Sequence, residues 1–251
     1  MNTKTTIVLL GAMLVFAACS KEKKLDENSF EISGTISGNK ETRMILMEMQ
    51  KEGFTDNDTI TIDGKGHFDK IIRLEQPTLF SLSYAEDYIV ICPQAKERIR
   101  INARADNFSG TYTIEGSKES ELLKELNIET SNRRATLKSM SDFLKTNNIN
   151  NFDSIREVFI RQLELMKQKE LQSSTEFIRK NKGSLTTLVA LYRTFEGRPL
   201  FDYRSDLSMY KEVLEGLKQT MPENQHTLIL ENFIKQKEEQ MKKTQEGNEE
   251  K

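Results

Sequence analysis

Beginning at Phe30, apolar and polar residues alternate through Phe30-Glu31-Ile32-Ser33-Gly34-Thr35-Ile36, a period of two that puts every second side chain on one face of a strand. Gly34 and Gly38 mark a bend and a turn. Met44 to Met49 is more continuously apolar. Thr59-Ile60-Thr61-Ile62 then leads through Asp63-Gly64-Lys65-Gly66 into His67-Phe68 and Ile71-Ile72-Arg73-Leu74. Asp-Gly between two alternating runs predicts a hairpin, because glycine takes the positive φ that a tight turn demands. Pro77 resets the chain, and short strands are expected at Leu79 to Tyr84, Tyr88 to Cys92, Arg98 to Ala103 and Thr111 to Glu115. About seven or eight short strands with no helical period between them predict an antiparallel β-sandwich or barrel-like domain over residues 29–116.

After Gly116 the period becomes helical. Ser117 can cap a helix bearing Leu122, Leu123 and Leu126, with Leu137, Met140 and Leu144 continuing the apolar stripe beyond a polar middle. Ser154 and Glu157 fit a capping box for a second helix, whose buried face is expected at Ile155, Val158, Phe159, Leu163 and Met166. Gly183-Ser184 ends that helix and starts a short apolar one, Leu185 to Phe195, expected to pack centrally. Asp206 to Met221 makes a fourth, stopped by Pro222. His226 to about Lys243 makes a fifth, with Leu228, Ile229, Phe233 and Ile234 inward. The fold class is therefore α+β: the β domain, then a helical domain of about five helices over residues 117–244, and a disordered tail over residues 245–251.

The residues before the first strand carry an address. Lys4 gives a positive start, Thr5 to Phe16 form an apolar run, and Ala17-Ala18 supply the small residues a peptidase requires. That run is too short to cross a hydrocarbon core needing about 20 residues. Ordinary signal-peptidase cleavage before Cys19 would place Phe16 where a small residue is wanted. Phe16-Ala17-Ala18-Cys19 instead looks like a bacterial lipobox, although Leu is commoner than Phe at its first position. On this reading residues 1–18 are a lipoprotein signal peptide, Cys19 is the acylated first residue, and two or three acyl chains hold the protein on a membrane. A plain secreted protein and an uncleaved anchor are the alternatives. Residues 19–28, rich in charge and without apolar period, form a flexible tether.

Composition narrows the chemistry. With 36% hydrophobic and 30% charged residues the chain is ordinary for a globular protein, and its formal net charge of −2 provides no long-range attraction for nucleic acid. Of the two cysteines, Cys19 would be taken by lipid, leaving Cys92 without an internal disulfide partner. Tyr88-Ile89-Val90-Ile91-Cys92 reads as a buried strand in which cysteine acts as a small hydrophobe. The two histidines, His67 and His226, fall in different predicted domains without His-Glu-x-x-His spacing, so no metal or other cofactor is expected. Asp56-Asn57-Asp58 opens like a calcium loop, but Ile60 and Thr61 stand where a ligand and a glycine are needed, so a polar turn is expected. Gly64-Lys65-Gly66 lacks a phosphate-loop frame, and Ser37, in a predicted hairpin, is one place off a nucleophile elbow. The charge run Lys235 to Lys243 reads as a solvated helix face.

Phe30-Glu31-Ile32-Ser33-Gly34-Thr35-Ile36, the Asp63-Gly64-Lys65-Gly66-His67-Phe68 turn, Pro77-Thr78-Leu79-Phe80 and Ile114-Glu115-Gly116-Ser117 together resemble the DUF4369 domain of Bacteroidetes lipoproteins. In larger relatives this β domain and its helical extension precede a thioredoxin-like, thiol-disulfide oxidoreductase domain bearing a Trp-Cys-x-x-Cys site. This chain has no Trp and no Cys-x-x-Cys. The resemblance therefore implies the accessory portion without its redox domain: a non-enzymatic, lipid-anchored module of the cell envelope, at the outer membrane, with an envelope protein of thioredoxin type as possible partner. A small-molecule, peptide or glycan receptor, with its pocket between the β domain and the helices, is the alternative.

Overall fold

Alternation along the strands resolves into two sheets that share one core. The computed structural model describes residues 24–50, 53–146 and 152–249, so the signal and the first half of the tether, Cys19 included, lie outside the described residues. The first sheet has the order β4-β1-β7-β8, from β1 (Ser29–Ser37), β4 (His67–Arg73), β7 (Arg98–Arg104) and β8 (Thr113–Glu115). The second has the order β3-β2-β5-β6, from β2 (Arg43–Gln50), β3 (Gly53–Thr61), β5 (Phe80–Tyr84) and β6 (Asp87–Ile91). In β7 every second residue, Ile99, Ile101 and Ala103, is buried while Arg98, Arg100, Asn102 and Arg104 face water. Phe30, Ile32 and Phe68 from the first sheet meet Leu46, Phe80 and Leu82 from the second, and the Phe30 and Phe80 rings pack 5.7 Å apart. The sandwich is open, with four-stranded sheets rather than a closed barrel.

Several local expectations change. β1 runs parallel to β7, the one departure from antiparallel pairing among these ladders; the intervening second sheet supplies the long crossover that a parallel pair requires. Asp63-Gly64-Lys65-Gly66 is a tight turn, closed by Asp63 N–H donating to His67 O at 2.9 Å. It does not close a hairpin ladder, because β3 pairs with β2 and β4 with β1. Ser37 likewise ends a strand paired with β4 and β7, not a hairpin with β2. Asp56-Asn57-Asp58 lies within β3 rather than in a polar turn. Met47 pairs with Asp56 and Leu46 with Asp58, leaving Asn57 as the extra residue of a β-bulge. Gly34 is required by close approach: a Cβ there would lie 1.6 Å from the Ile101 carbonyl oxygen.

A single helical turn, α1 (Phe108–Thr111), leads through β8 into α2 (Lys118–Thr146), α3 (Phe152–Lys180), α4 (Thr186–Leu191), the two-residue strands β9 (Thr194–Phe195) and β10 (Arg198–Pro199), α5 (Tyr203–Thr220) and α6 (Gln225–Glu249). The five helices α2 to α6 form the expected helical region. Their core of Leu123, Leu126, Ile178, Leu188, Leu217 and Leu230 also includes Leu79 and Cys92 from the β region. The helices therefore pack directly against the β region. Sheet edges are vulnerable unless covered, and α2 covers the edge of β6. Asn127 accepts from Val90 N–H at 3.2 Å and donates to Val90 O at 2.9 Å, as a neighbouring strand would, while Ser120 Oγ accepts from Cys92 N–H at 3.0 Å.

α3 starts two residues before Ser154, and Val158, expected inward, is 64% exposed. Among the described residues the outer half of α3 meets α2, where Phe143 and Phe159 pack edge to face at 6.1 Å. Leu228 is also exposed, because Leu230 and Ile234 hold the inward face of α6. α6 continues as helix to Glu249, where a disordered tail was expected from Gln245; Gln245, Glu246 and Glu249 carry little helix penalty, although Gly247 costs about 1 kcal/mol relative to alanine. Among the described residues no helix is long and apolar enough to cross a membrane.

Candidate functional site

On β5, Phe80, Leu82 and Tyr84 enter the sandwich core, so Ser81 and Ser83 face the other way. Ser81 lies between Met47 on β2 and Val90 on β6, and Ser83 between Ile45 and Tyr88. These residues belong to the outer face of the second sheet. α2 and α4 stand over part of it, leaving a cleft of about 200 Å³ at the junction.

Met49, Leu79 and Val90 line the sheet side of the cleft, and Leu126, Leu188 and Val189 the helix side. From α2, Asn127, Thr130, Arg133 and Arg134 also line it; with Leu126 they recur at intervals of three and four, the spacing of one helix face. Tyr192 and Arg193, just past α4, complete the wall. Tyr192 N–H closes the end of α4 on Leu188 O at 2.9 Å, fixing the chain where these two side chains leave it. Burial, and next the neighbouring Tyr210, pushes the Tyr192 hydroxyl up to about 12, so it remains a neutral donor at ordinary pH.

Two arginines of the lining are locked by carboxylates that do not line the cleft themselves. The Arg193 guanidinium is only 6% exposed. Its Nη1 donates to Glu129 Oε2 at 2.8 Å and Ser174 Oγ at 3.1 Å, and its Nη2 to Glu170 Oε2 at 3.1 Å and Thr130 Oγ1 at 3.3 Å. Arg133 Nη1 donates to Glu170 Oε2 at 2.5 Å and Thr194 O at 3.0 Å, and its guanidinium lies 5.4 Å from the centre of the Phe195 ring. Burial raises the Glu170 carboxyl above the usual range; Arg193 and Arg133 pull it back, and Glu129 pushes it up. At the rim, the Arg134 guanidinium sits 4.3 Å over the half-exposed Tyr88 ring and bonds Asp87 Oδ1 at 3.3 Å.

The residues singled out from the sequence lie elsewhere. Cys92 is fully buried directly after β6, and burial pushes its thiol far up, with Glu119 and Glu97 adding to the shift. A thiol held in that form is a poor nucleophile. His67 is exposed at the start of β4, with Nδ1 3.5 Å from Asp63 Oδ2. His226 is buried in the first turn of α6, with Nε2 2.7 Å from Thr78 Oγ1, and burial lowers its pKa. Next to it Asn224 Nδ2 donates to Pro77 O at 2.8 Å, so this end of α6 is tied to the β region. The described residues hold no group of three or more His, Cys, Asp or Glu placed to share a metal ion. Lys235 pairs with Glu231 at 2.9 Å, and Lys237 lies 4.6 Å from the Tyr203 ring.

Sequence reasoning passed over Arg133, Arg134 and Arg193. The signal lay in the polar middle of α2, where Asn127, Thr130, Arg133 and Arg134 keep helical spacing on the stripe of Leu126.

Residues 30–123 match the family described as a domain of unknown function, DUF4369. The matched span runs from β1 into the start of α2. It thus holds the sheet side of the cleft and ends before Leu126. No curated protein matches the chain.

Proposed function

Taking residues 30–123 as a DUF4369 domain, we propose that the protein is a non-catalytic binding module of the cell envelope, anchored through acylated Cys19, and that the junction cleft is its ligand site. One observation carries the reading: two structural units contribute opposite walls of a concave, largely apolar surface with a few polar side chains at its rim, the usual make-up of a small-ligand site. Both histidines stand outside the lining. The ligand is a small molecule or the side-chain portion of a peptide, held by burial against Leu79, Val90, Leu188 and Val189.

The test is an uncharged environment-sensitive dye, N-phenyl-1-naphthylamine, added to the purified protein. The wild type should enhance its fluorescence saturably, and Val189→Trp, which fills the half-buried helix wall, should abolish the enhancement while far-UV circular dichroism is unchanged. Equal dye binding by a folded Val189→Trp protein would overturn the reading. Anchoring has its own test: Cys19→Ala should end acyl labelling and release the protein from membranes, and persistent labelling would refute it.

A second reading has support in the helical arm. Val158 is 64% and Leu165 57% exposed, seven residues apart on one face of α3, which suits docking of an envelope protein of thioredoxin type. Mild cross-linking of envelopes should then capture a stoichiometric Cys-x-x-Cys protein, and Val158→Asp with Leu165→Asp should prevent the capture.

A further inference from the structure

Charge is sorted across the arginine and glutamate network. The cleft is lined by Arg133, Arg134 and Arg193 and by no Asp or Glu. The carboxylates that pair with the inner two, Glu129 and Glu170, instead line a separate cavity of about 400 Å³ between α2 and α3, which Arg133, standing between the two, also lines together with Lys169. Asp87 bonds Arg134 without entering the lining. A group in the cleft therefore lies against guanidinium groups and against no carboxylate of the lining.

Arg133 is the residue best placed to use this. Its side chain is 12% exposed, and Nη1 alone makes its bonds to Glu170 and Thr194. A guanidinium has five N–H donors in a planar fork, and among the described residues no partner bonds Nε or Nη2. Those donors suit a planar anion. The apolar floor suits an aliphatic or aromatic body behind it.

We infer that the cleft ligand is an amphipathic carboxylate, its apolar body lying against the floor of Leu79, Val90 and Leu188 and its carboxylate at Arg133 and Arg134. The inference rests on the cleft being the binding site. It adds the sign of the ligand's charge and the end of the cleft at which that charge sits.

The test displaces bound N-phenyl-1-naphthylamine from the purified protein with three eight-carbon probes: octanoate, octan-1-ol and octyltrimethylammonium. Octanoate should displace the dye at a concentration at least about tenfold below octanol, equivalent to about 1.4 kcal/mol, with the cation weakest. Raised salt should weaken octanoate and leave octanol unchanged. Arg134→Gln, at the exposed rim, should bring octanoate toward octanol without moving the octanol value, and Arg133→Lys should do so while keeping a positive charge beside Glu170. If octanoate and octanol compete equally in wild type, and Val189→Trp still abolishes dye binding, the cleft reading stands and the carboxylate inference fails. If dye binding ignores Val189→Trp, both fail.

Discussion

Replacing Arg193 by leucine removes a guanidinium that is 6% exposed and bonded to Glu129, Glu170, Ser174 and Thr130. Arg133 alone then faces Glu170, itself 3% exposed. Removing one partner of a buried ion pair costs about 3–5 kcal/mol, chiefly because the remaining charge stays buried without compensation. For a chain of this size, 1 kcal/mol moves Tm by about 2–4 °C, so Arg193→Leu should unfold roughly 6–20 °C below wild type. Urea unfolding followed by circular dichroism measures the free energy directly. The double variant Arg193→Leu/Glu170→Leu should recover part of the loss, since Glu170 no longer stays buried with too little compensation while Arg133 gives up its carboxylate partner. The pH dependence has a definite sign. Burial raises the Glu170 carboxyl in the folded protein, so its protonation favours folding at low pH, and that contribution is lost as pH rises through the raised value. Without Arg193, the largest of its opposing charges, the carboxyl rises further. The penalty should therefore be smaller at about pH 5 than at about pH 7. A loss under about 1 kcal/mol at neutral pH, or one that grows on acidification, would refute the account of this network.

Three further outcomes are expected. Gly34→Ala would place its Cβ 1.6 Å from Ile101 O, so β1 and β7 must separate; thermal unfolding should show a loss of about 3 kcal/mol or more, and one under about 1 kcal/mol would contradict the register. Burial lowers the pKa of His226 beside Thr78, so stability is full above its ordinary value of about 6.5 and falls as pH drops through the lowered one; urea midpoints of His226→Asn should lack that component of the decline. Cys92, buried after β6 with its thiol pushed up, should resist a disulfide-exchange reagent in the native protein and react once urea unfolds it; rapid native labelling at Cys92 would refute its burial.

The sequence made individual faces legible and partners much less so. Arg98-Ile99-Arg100-Ile101-Asn102-Ala103-Arg104 announces a half-buried strand, and its alternation is what the structure shows. A period of two says which side chains turn inward but not which strand lies alongside, so the parallel β1/β7 pair, joined across most of the β region, left no local mark. The same limit explains the Asp63-Gly64 turn, whose tight geometry was readable while the divergence of β3 and β4 into different sheets was not. Among the helices, the apolar stripes located α2 to α6. Whether Val158 finds a neighbour depends on which elements reach that half of α3, and Leu228 is left out because Leu230 and Ile234 take the inward face of α6; periodicity encodes neither. The cleft was the least legible part. Arg133 meets Glu170 37 residues away and Arg193 meets Glu129 64 residues away; until those chains meet, each arginine reads as a solvated side chain.

The most direct measurement is a ¹H–¹⁵N correlation spectrum of the isotope-labelled protein titrated with N-phenyl-1-naphthylamine. Shifts concentrated at Leu79, Val90, Asn127, Leu188 and Val189 are expected, saturating together at one site. Shifts confined to the outer halves of α2 and α3, or none at ligand excess, would contradict the claim that the junction of sheet and helices is a binding site.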